Sequence, residues 1–282
     1  MRPVFASTTP RWPDDRASAV CLAFDLDGPS GSAMLNGSLW RRPSYFSLGA
    51  YGPWRGLQRI LGVLADAGVP ATFFIPAWVV ENWPEQCRRV IAEGHEVAHH
   101  GYRHERFADY DLDAQRAIIE RSQEIFRAEL GVPAAGFRTP SGDWTPGTPA
   151  LLAELGFSYS SSLRGDERPY RYAGLDLIEI PARSELDDYT SLVYTRDPDW
   201  PSGGDRISSY AAVLDSWKRE ADGYHAAGGC LVTIFHPEFT GRPGPARLLA
   251  EWIAHLRTAD PWFATLSQVA DRTRARAEGG PA

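Results

Sequence analysis

Cysteine is scarce: Cys21, Cys87 and Cys230 are the whole set. The number is odd and no Cys-x-x-Cys pair occurs, which excludes a disulfide framework and a cysteine-rich zinc knuckle. Cys21 and Cys230 stand in apolar runs and read as reduced, buried thiols. No apolar run approaches the roughly 20 residues of a membrane span. The N-terminal stretch MRPVFASTTPRWPDDR lacks an apolar region followed by a small-residue cleavage site. No signal peptide is read there, and cytoplasm is the expected location. Basic charge is short as well: 29 Lys and Arg against 36 Asp and Glu leave a net charge of −7. That balance argues against a nucleic-acid partner, which needs a basic stripe. The chain has no Gly-x-Ser-x-Gly elbow, no Gly-x-x-x-x-Gly-Lys phosphate loop, no Gly-x-Gly-x-x-Gly fingerprint and no His-Glu-x-x-His helix.

What is present is an alternation of short apolar runs with helix-period segments. AVCLAFDLDG (19–28) reads as a buried strand opening into a turn, and VPATFFIP (69–76) as a second strand. HEVAHHG, AGFRTP, FSYSSS, DLIEIPA and CLVTIFHP (230–237) continue the series. Between them, Leu57, Ile60, Leu61 and Leu64 share one helical face that stops at Gly68. Leu112, Ile119 and Phe126 mark a longer amphipathic helix closed by Gly131. Helices are also read over EQCRRVIAEG, TPALLAELG, residues 209–227 and the segment bearing Leu248, Leu249, Trp252, Ile253 and Leu256. WFATLSQVADR reads as a strand passing into a helix, whereas 183–208 is turn-rich and aperiodic. Strand-then-helix order implies parallel strands with helical crossovers. The expected fold is α/β, a single domain over 1–282 built as a distorted (β/α) barrel of about seven parallel strands; an open doubly wound sheet is the alternative.

Four of the seven histidines fall within ten residues, in EGHEVAHHGYRHERF. His100 and His104 are spaced i, i+4, which on a helical turn puts both imidazoles on one face, within reach of one Zn²⁺. On its own this spacing also occurs on solvated helix faces. FDLDG adds two carboxylates after a buried strand. Asp25 and Asp27, two apart, can face the same side. Either needs a cation or donors if buried, although Asp-Gly-Pro is also ordinary turn chemistry. Two histidines and one carboxylate make a three-ligand site with a position left for water, the layout of a catalytic metal. A second carboxylate can then accept the proton of that water. Asp25, Asp27, His100, His104, Arg138 and His236 all fall at the ends of expected strands, on one rim of a barrel. Strand alternation puts His95 and His99 on the side away from His100, so neither is read as a ligand. His225 and His255 are read as solvated.

FDLDGP, HGYRH, FRTPS and IFHPEF occur in that order between about residue 18 and residue 270. In this the chain resembles the polysaccharide deacetylase (NodB-homology) family. The resemblance implies a distorted (β/α) barrel holding one divalent metal, usually zinc, that activates water to cleave an amide bond. By motif match Asp25 would be the general base, and Asp27, His100 and His104 the metal ligands. Arg138 would hold the Asp25 carboxylate and His236 would protonate the leaving nitrogen. The backbone N–H of Ser141, where the familiar motif has Tyr, would bind the oxyanion.

The chain departs from the best-known members in that Leu26 separates the two aspartates and no fourth motif with an acidic residue and Trp is found. In this it resembles a branch that includes allantoinase-like and cyclic-imide hydrolases and some peptidoglycan deacetylase-like proteins. A small cyclic amide, imide or ureide is therefore the favoured substrate, ahead of an N-acetylated sugar or peptidoglycan-type glycan. A non-catalytic carbohydrate-binding barrel and a scaffold stapled by its metal stand as further alternatives. Residues 28–56, rich in Gly, Ser and aromatics, are expected to form a loop over the site. Trp40, Tyr45, Phe46, Tyr51 and Trp54 would shape the pocket, or pack on the barrel or against a second subunit of a homo-oligomer. Trp144 and Trp200 are read on the same terms.

Overall fold

The computed structural model describes residues 3–4, 12–31, 37–194 and 207–278. Ala19–Asp25 forms β2, buried at every position, as a near-continuous apolar run requires when helices cover both faces of a parallel sheet. Ala71–Ile75 (β3), Glu96–His99 (β4), Gly136–Phe137 (β5), Tyr159–Ser160 (β6) and Ile178–Glu179 (β8) follow it across the sheet, each pair parallel. On the other side Cys230–Val232 (β9) pairs with β2 in parallel, and Trp262–Phe263 (β10) pairs with residues Ala19 and Val20 of β2. A single bridge from Asp187 to Ile234 draws the two margins of the curl together, and one from Phe24 to Phe235 extends the pairing of β2 with the chain after β9. The result is the expected distorted (β/α) barrel, with β2, β3, β4, β5, β6, β8 and β9 around it.

The crossovers follow the expected periodicity. Leu57–Ala67 buries Leu57, Ile60, Leu61 and Leu64 and is capped by Gly68 in the left-handed conformation. Leu112–Leu130 starts where the Asp111 carboxylate accepts the Ala114 N–H at 2.9 Å and buries Ile119 and Phe126. The helices Pro84–Ala92, Thr148–Glu154, Tyr210–Ala227, Pro243–Leu256 and Leu266–Glu278 account for the remaining expected helical segments. Among the described residues no helix is long and apolar enough to cross a membrane.

Three expectations are corrected. The first concerns the edge: Tyr170–Tyr172 (β7) pairs antiparallel with β8, and Pro3–Val4 (β1) antiparallel with β7, so the sheet is not purely parallel. The sequence signal for this hairpin was the alternation in YRYAGLDLIEI around an Ala-Gly turn. The second is 28–56, which is not a loop. Gly37–Arg41 is a short 3₁₀ turn, Pro43–Tyr51 an α-helix, and Gly52–Gly56 a π-helical turn that runs into the next helix; 32–36 lies outside the described residues. Here a glycine serves close packing: a Cβ on Gly56 would stand 2.0 Å from the Pro237 carbonyl oxygen. The third is CLVTIFHP, whose ladder stops at Val232. The Thr233 hydroxyl inserts between strands, accepting the Ala23 N–H and donating to the Ala23 carbonyl, each at 2.7 Å.

Candidate active site

The C-terminal ends of the parallel strands surround one cavity of about 320 Å³, where a barrel of this kind places its chemistry. Asp25 ends β2 and Asp27 follows it. Leu26 between them points into the core, as strand alternation demands. His100 follows β4, Arg138 follows β5, and Ser161 and Ser162 follow β6. Asp187 and His236 enter from the two segments that meet at the closing bridge. Asp25, Asp27, His100, His104, Arg138, Ser141 and His236 all line this cavity.

Asp27, His100 and His104 offer one ligand atom each, all within 4.8 Å of one another. His104 Nε2 lies 3.3 Å from Asp27 Oδ2 and His100 Nε2 lies 3.5 Å from Asp27 Oδ1. Ligands about 2.0–2.1 Å from a tetrahedral ion stand about 3.4 Å apart, so the spacing fits a single Zn²⁺-sized cation. Asp27 Oδ1 is buried with no hydrogen-bond partner, an atom that a cation would satisfy. His100 Nδ1 is bonded to the Arg138 carbonyl at 2.7 Å, which leaves the lone pair on Nε2 facing Asp27. Burial holds His100 at about 4 and His104 at about 3, so both rings are neutral, the form that ligates metal. Burial pushes the Asp27 carboxyl up from its ordinary value, a cost that a cation within bonding distance reverses.

The His100–His104 pair is not helical, contrary to the i, i+4 expectation. Gly101 and His104 both adopt positive φ, +75° and +62°. The Glu105 carboxylate holds the turn by accepting the backbone N–H groups of Tyr102 at 2.9 Å and Arg103 at 2.8 Å. This folding brings the two ring centroids to 4.8 Å. His99 turns the other way, as alternation predicts. It stacks between Phe126 and Phe137 at 6.0 and 5.2 Å, and its Nδ1 accepts the Gly101 N–H. His95 packs on Phe73. His225 and His255 are half-buried rather than solvated, bonded to Ser18 and Asp222.

Around this cluster, Arg138 Nη1 donates to Asp25 Oδ1 at 2.6 Å, and the guanidinium is itself fixed by the Ser161 carbonyl and hydroxyl. Burial alone would raise the Asp25 carboxyl; the Arg138 charge, with His100 and His236, overrides it and holds Asp25 below its ordinary value. His236 Nδ1 is bonded to Asp188 Oδ1 at 2.7 Å, and Asp188 Oδ2 accepts the His236 N–H at 2.9 Å. Burial works against the imidazolium here. The Asp188 carboxylate outweighs it and lifts His236 well above its ordinary value. The His236 Nε2 end faces the cavity, 3.8 Å from Asp27 Oδ2. Ser141 sits at φ +63° in the turn after Arg138, with Thr139 held through its N–H by Ser162 Oγ at 3.0 Å.

Several residues lining the cavity or supporting it were not legible in the sequence. Asp187, Asp188 and Tyr189 belong to SELDDYT, inside the aperiodic region, where only the paired aspartates offered a signal. Glu238, in the quoted IFHPEF motif, is buried beside His236 with Oε2 unpartnered. Glu179 is fully buried below the rim, accepting from Ser162 N, Leu163 N and Tyr172 OH at 2.7–2.8 Å. Conversely, the aromatics of 28–56 do not line the cavity: Trp40 packs edge-on to Trp78 at 4.8 Å and Trp54 faces solvent. Trp144 stacks on Phe137, and Trp200 lies outside the described residues. Tyr189 and Phe239 supply the aromatic walls instead.

The polysaccharide deacetylase model matches residues 51–160. A solved structure of a putative polysaccharide deacetylase from Mycobacterium smegmatis superposes with a TM-score of 0.92 at 36% identity, covering 97% of this chain and 96% of that one. The chain belongs to the polysaccharide deacetylase family. It is a metal-dependent hydrolase of the carbon–nitrogen amide bond. A peptidoglycan deacetylase of Helicobacter pylori is 25% identical over 259 residues, 81% of this chain and 87% of that protein. An allantoinase structure superposes with a TM-score of 0.80 at 22% identity over 95% of each chain, a likeness of fold alone.

Proposed function

We propose that this deacetylase-family protein removes the N-acetyl group from an N-acetylated sugar or glycan. The observation that carries the reading is the Asp27–His100–His104 cluster, flanked by the Asp25–Arg138 and His236–Asp188 pairs. The favoured small cyclic amide gives way to the sugar alternative. The 25%-identical peptidoglycan deacetylase aligns over most of both chains, and a chitooligosaccharide deacetylase of Sinorhizobium fredii is 32% identical over 120 residues, 42% of this chain.

Asp27, His100 and His104 would hold a divalent cation, proposed to be zinc, which supplies Lewis-acid activation of water and of the amide carbonyl. The chain's own groups supply the proton transfers. Asp25, kept ionised by Arg138, takes a proton from the attacking water. The backbone N–H of Ser141 donates to the oxygen that gains negative charge as water adds to the carbonyl carbon. His236, kept protonated by Asp188, gives its Nε2 proton to the nitrogen as the carbon–nitrogen bond breaks, so the products are acetate and an amine.

The test is acetate release by zinc-loaded protein from chitooligosaccharides and peptidoglycan fragments, with cyclic imides and ureides assayed in parallel for ring opening. Acetate release that a chelator abolishes is the expected result. Ring opening without acetate release would replace the sugar reading by the cyclic-amide one.

A further inference from the structure

The cavity contains two guanidinium groups whose situations differ. Arg138 is buried and spent: Asp25, Ser161 and the Thr233 carbonyl take its donors. Arg164 lies on the same wall, beside Ser141 and Gly142, and is exposed. Its one hydrogen bond is a long contact from Nη1 to the Gly142 carbonyl at 3.4 Å. Among the described residues it has no carboxylate partner. The nearest acids along the chain are occupied, Asp143 accepting the Trp144 N–H and Asp166 the Arg168 N–H.

Arg164 is nonetheless placed rather than loose. Gly142 has φ +71°, and a Cβ there would stand 2.7 Å from Arg164 Nη2. The guanidinium therefore lies against the backbone of the turn that carries Ser141. It lines the cavity, and the Gly142 carbonyl is the one acceptor it meets among the described residues. A planar, permanently charged fork with free donors matches a carboxylate in bidentate geometry. Of the other cationic side chains lining the cavity, Arg138 is paired with Asp25 and His236 with Asp188, and the rest of the charged lining is acidic, Asp25, Asp27, Asp187 and Glu238, so among the described residues Arg164 is the lining cation without a carboxylate partner.

Resting on the deacetylase reading, we infer that Arg164 is a specificity residue that pairs with a carboxylate of the substrate. The preferred glycan is then an acidic one, carrying a lactyl ether or a uronate next to the scissile N-acetylated sugar, rather than a neutral N-acetylglucosamine oligomer. The exposed pair would weaken with added salt.

The test compares kcat/KM of the zinc-loaded full chain for three tetrasaccharides. These are neutral chitotetraose, a peptide-free N-acetylglucosamine–N-acetylmuramic acid tetrasaccharide, and a hyaluronan tetrasaccharide. Wild type is expected to favour an acidic substrate, the two acidic arms distinguishing lactyl from uronate carboxylate. Arg164→Gln should collapse the acidic-to-neutral ratio about 10- to 100-fold, the range for a charge-assisted hydrogen bond, and Arg164→Lys should restore part of it. High salt should shrink the wild-type ratio and leave that of Arg164→Gln unchanged. An unchanged ratio in Arg164→Gln overturns the inference while leaving the deacetylase reading intact. If no sugar releases acetate, the deacetylase reading fails, and calorimetric binding of N-acetylmuramic acid still decides the residue's role. Binding that is lost in Arg164→Gln supports carboxylate recognition, and binding that survives the change overturns it.

Discussion

Asp188 and His236, 48 residues apart in sequence, form a bond of 2.7 Å between Oδ1 and Nδ1 because the segments after β8 and β9 meet at the closing bridge of the barrel. Asp188 is fully buried and also accepts the Thr240 N–H. That anchorage fixes the imidazole so that its Nε2 proton points to the cavity.

A pH prediction follows with a definite sign. In the proposed mechanism His236 acts as an acid, so activity should require its protonated form and be lost as pH rises through its pKa. Asp188 raises that pKa, so Asp188→Asn should move the alkaline limb of the kcat/KM profile toward lower pH. At pH 8 the loss should be about 100-fold or more, the scale of general-acid assistance. An alkaline limb that stays in place would separate Asp188 from the proton transfer.

Base and ligand roles can be separated by metal content. Asp25→Asn should keep its metal while kcat falls about 10²- to 10⁴-fold. His104→Ala should lose metal and activity together. Zinc added at 100 times its Kd should stabilise the parent protein by about 2.7 kcal/mol in a denaturation experiment, and a chelator should reverse this. Equal metal loss in the two variants, measured by atomic absorption, would refute the division.

Glu179 should prove a keystone of stability. Glu179→Ala leaves the N–H groups of Ser162 and Leu163 and the Tyr172 hydroxyl without acceptors in a buried site. At about 1–3 kcal/mol for each unsatisfied group, urea denaturation should show a loss of at least 3 kcal/mol. Because Ser162 Oγ holds the Thr139 N–H, kcat should fall more than KM rises. A change under 1 kcal/mol would show that water replaces the carboxylate.

Gly56→Ala tests the packing that ties the helical insertion to the acid. The new methyl would meet the Pro237 carbonyl, next to His236. Overpacking of this kind should cost about 1–3 kcal/mol of stability and lower kcat by shifting His236. A variant with parental melting temperature and kcat would show that the two segments separate freely.

The strands and helices were legible where burial imposes a period. AVCLAFD could only be a central strand, and Ile60, Leu61 and Leu64 could only share a helix face. The rim position of Asp25, His100, Arg138 and His236 followed from the same periods, since each comes just after an apolar run. By contrast, the helix over Pro43–Tyr51 was hidden because its glycines and aromatics mimic a loop. Gly49 in this helix answers to Gly28 and Pro29, and Gly56 just after it to Pro237, neighbours that no local pattern reveals.

The sequence by itself determined which residue types stand at the strand ends, and with them the capacity to bind a cation and move protons. Only the tertiary structure decided how they meet. It turned His104 toward Asp27 through a left-handed turn instead of a helix, gave His236 its Asp188 partner, and left Arg164 without a carboxylate partner among the described residues, beside the turn that carries Ser141. The physical reason is that periodicity records which side of an element is buried, whereas hydrogen-bond and ion-pair partners are fixed by contacts between segments far apart along the chain.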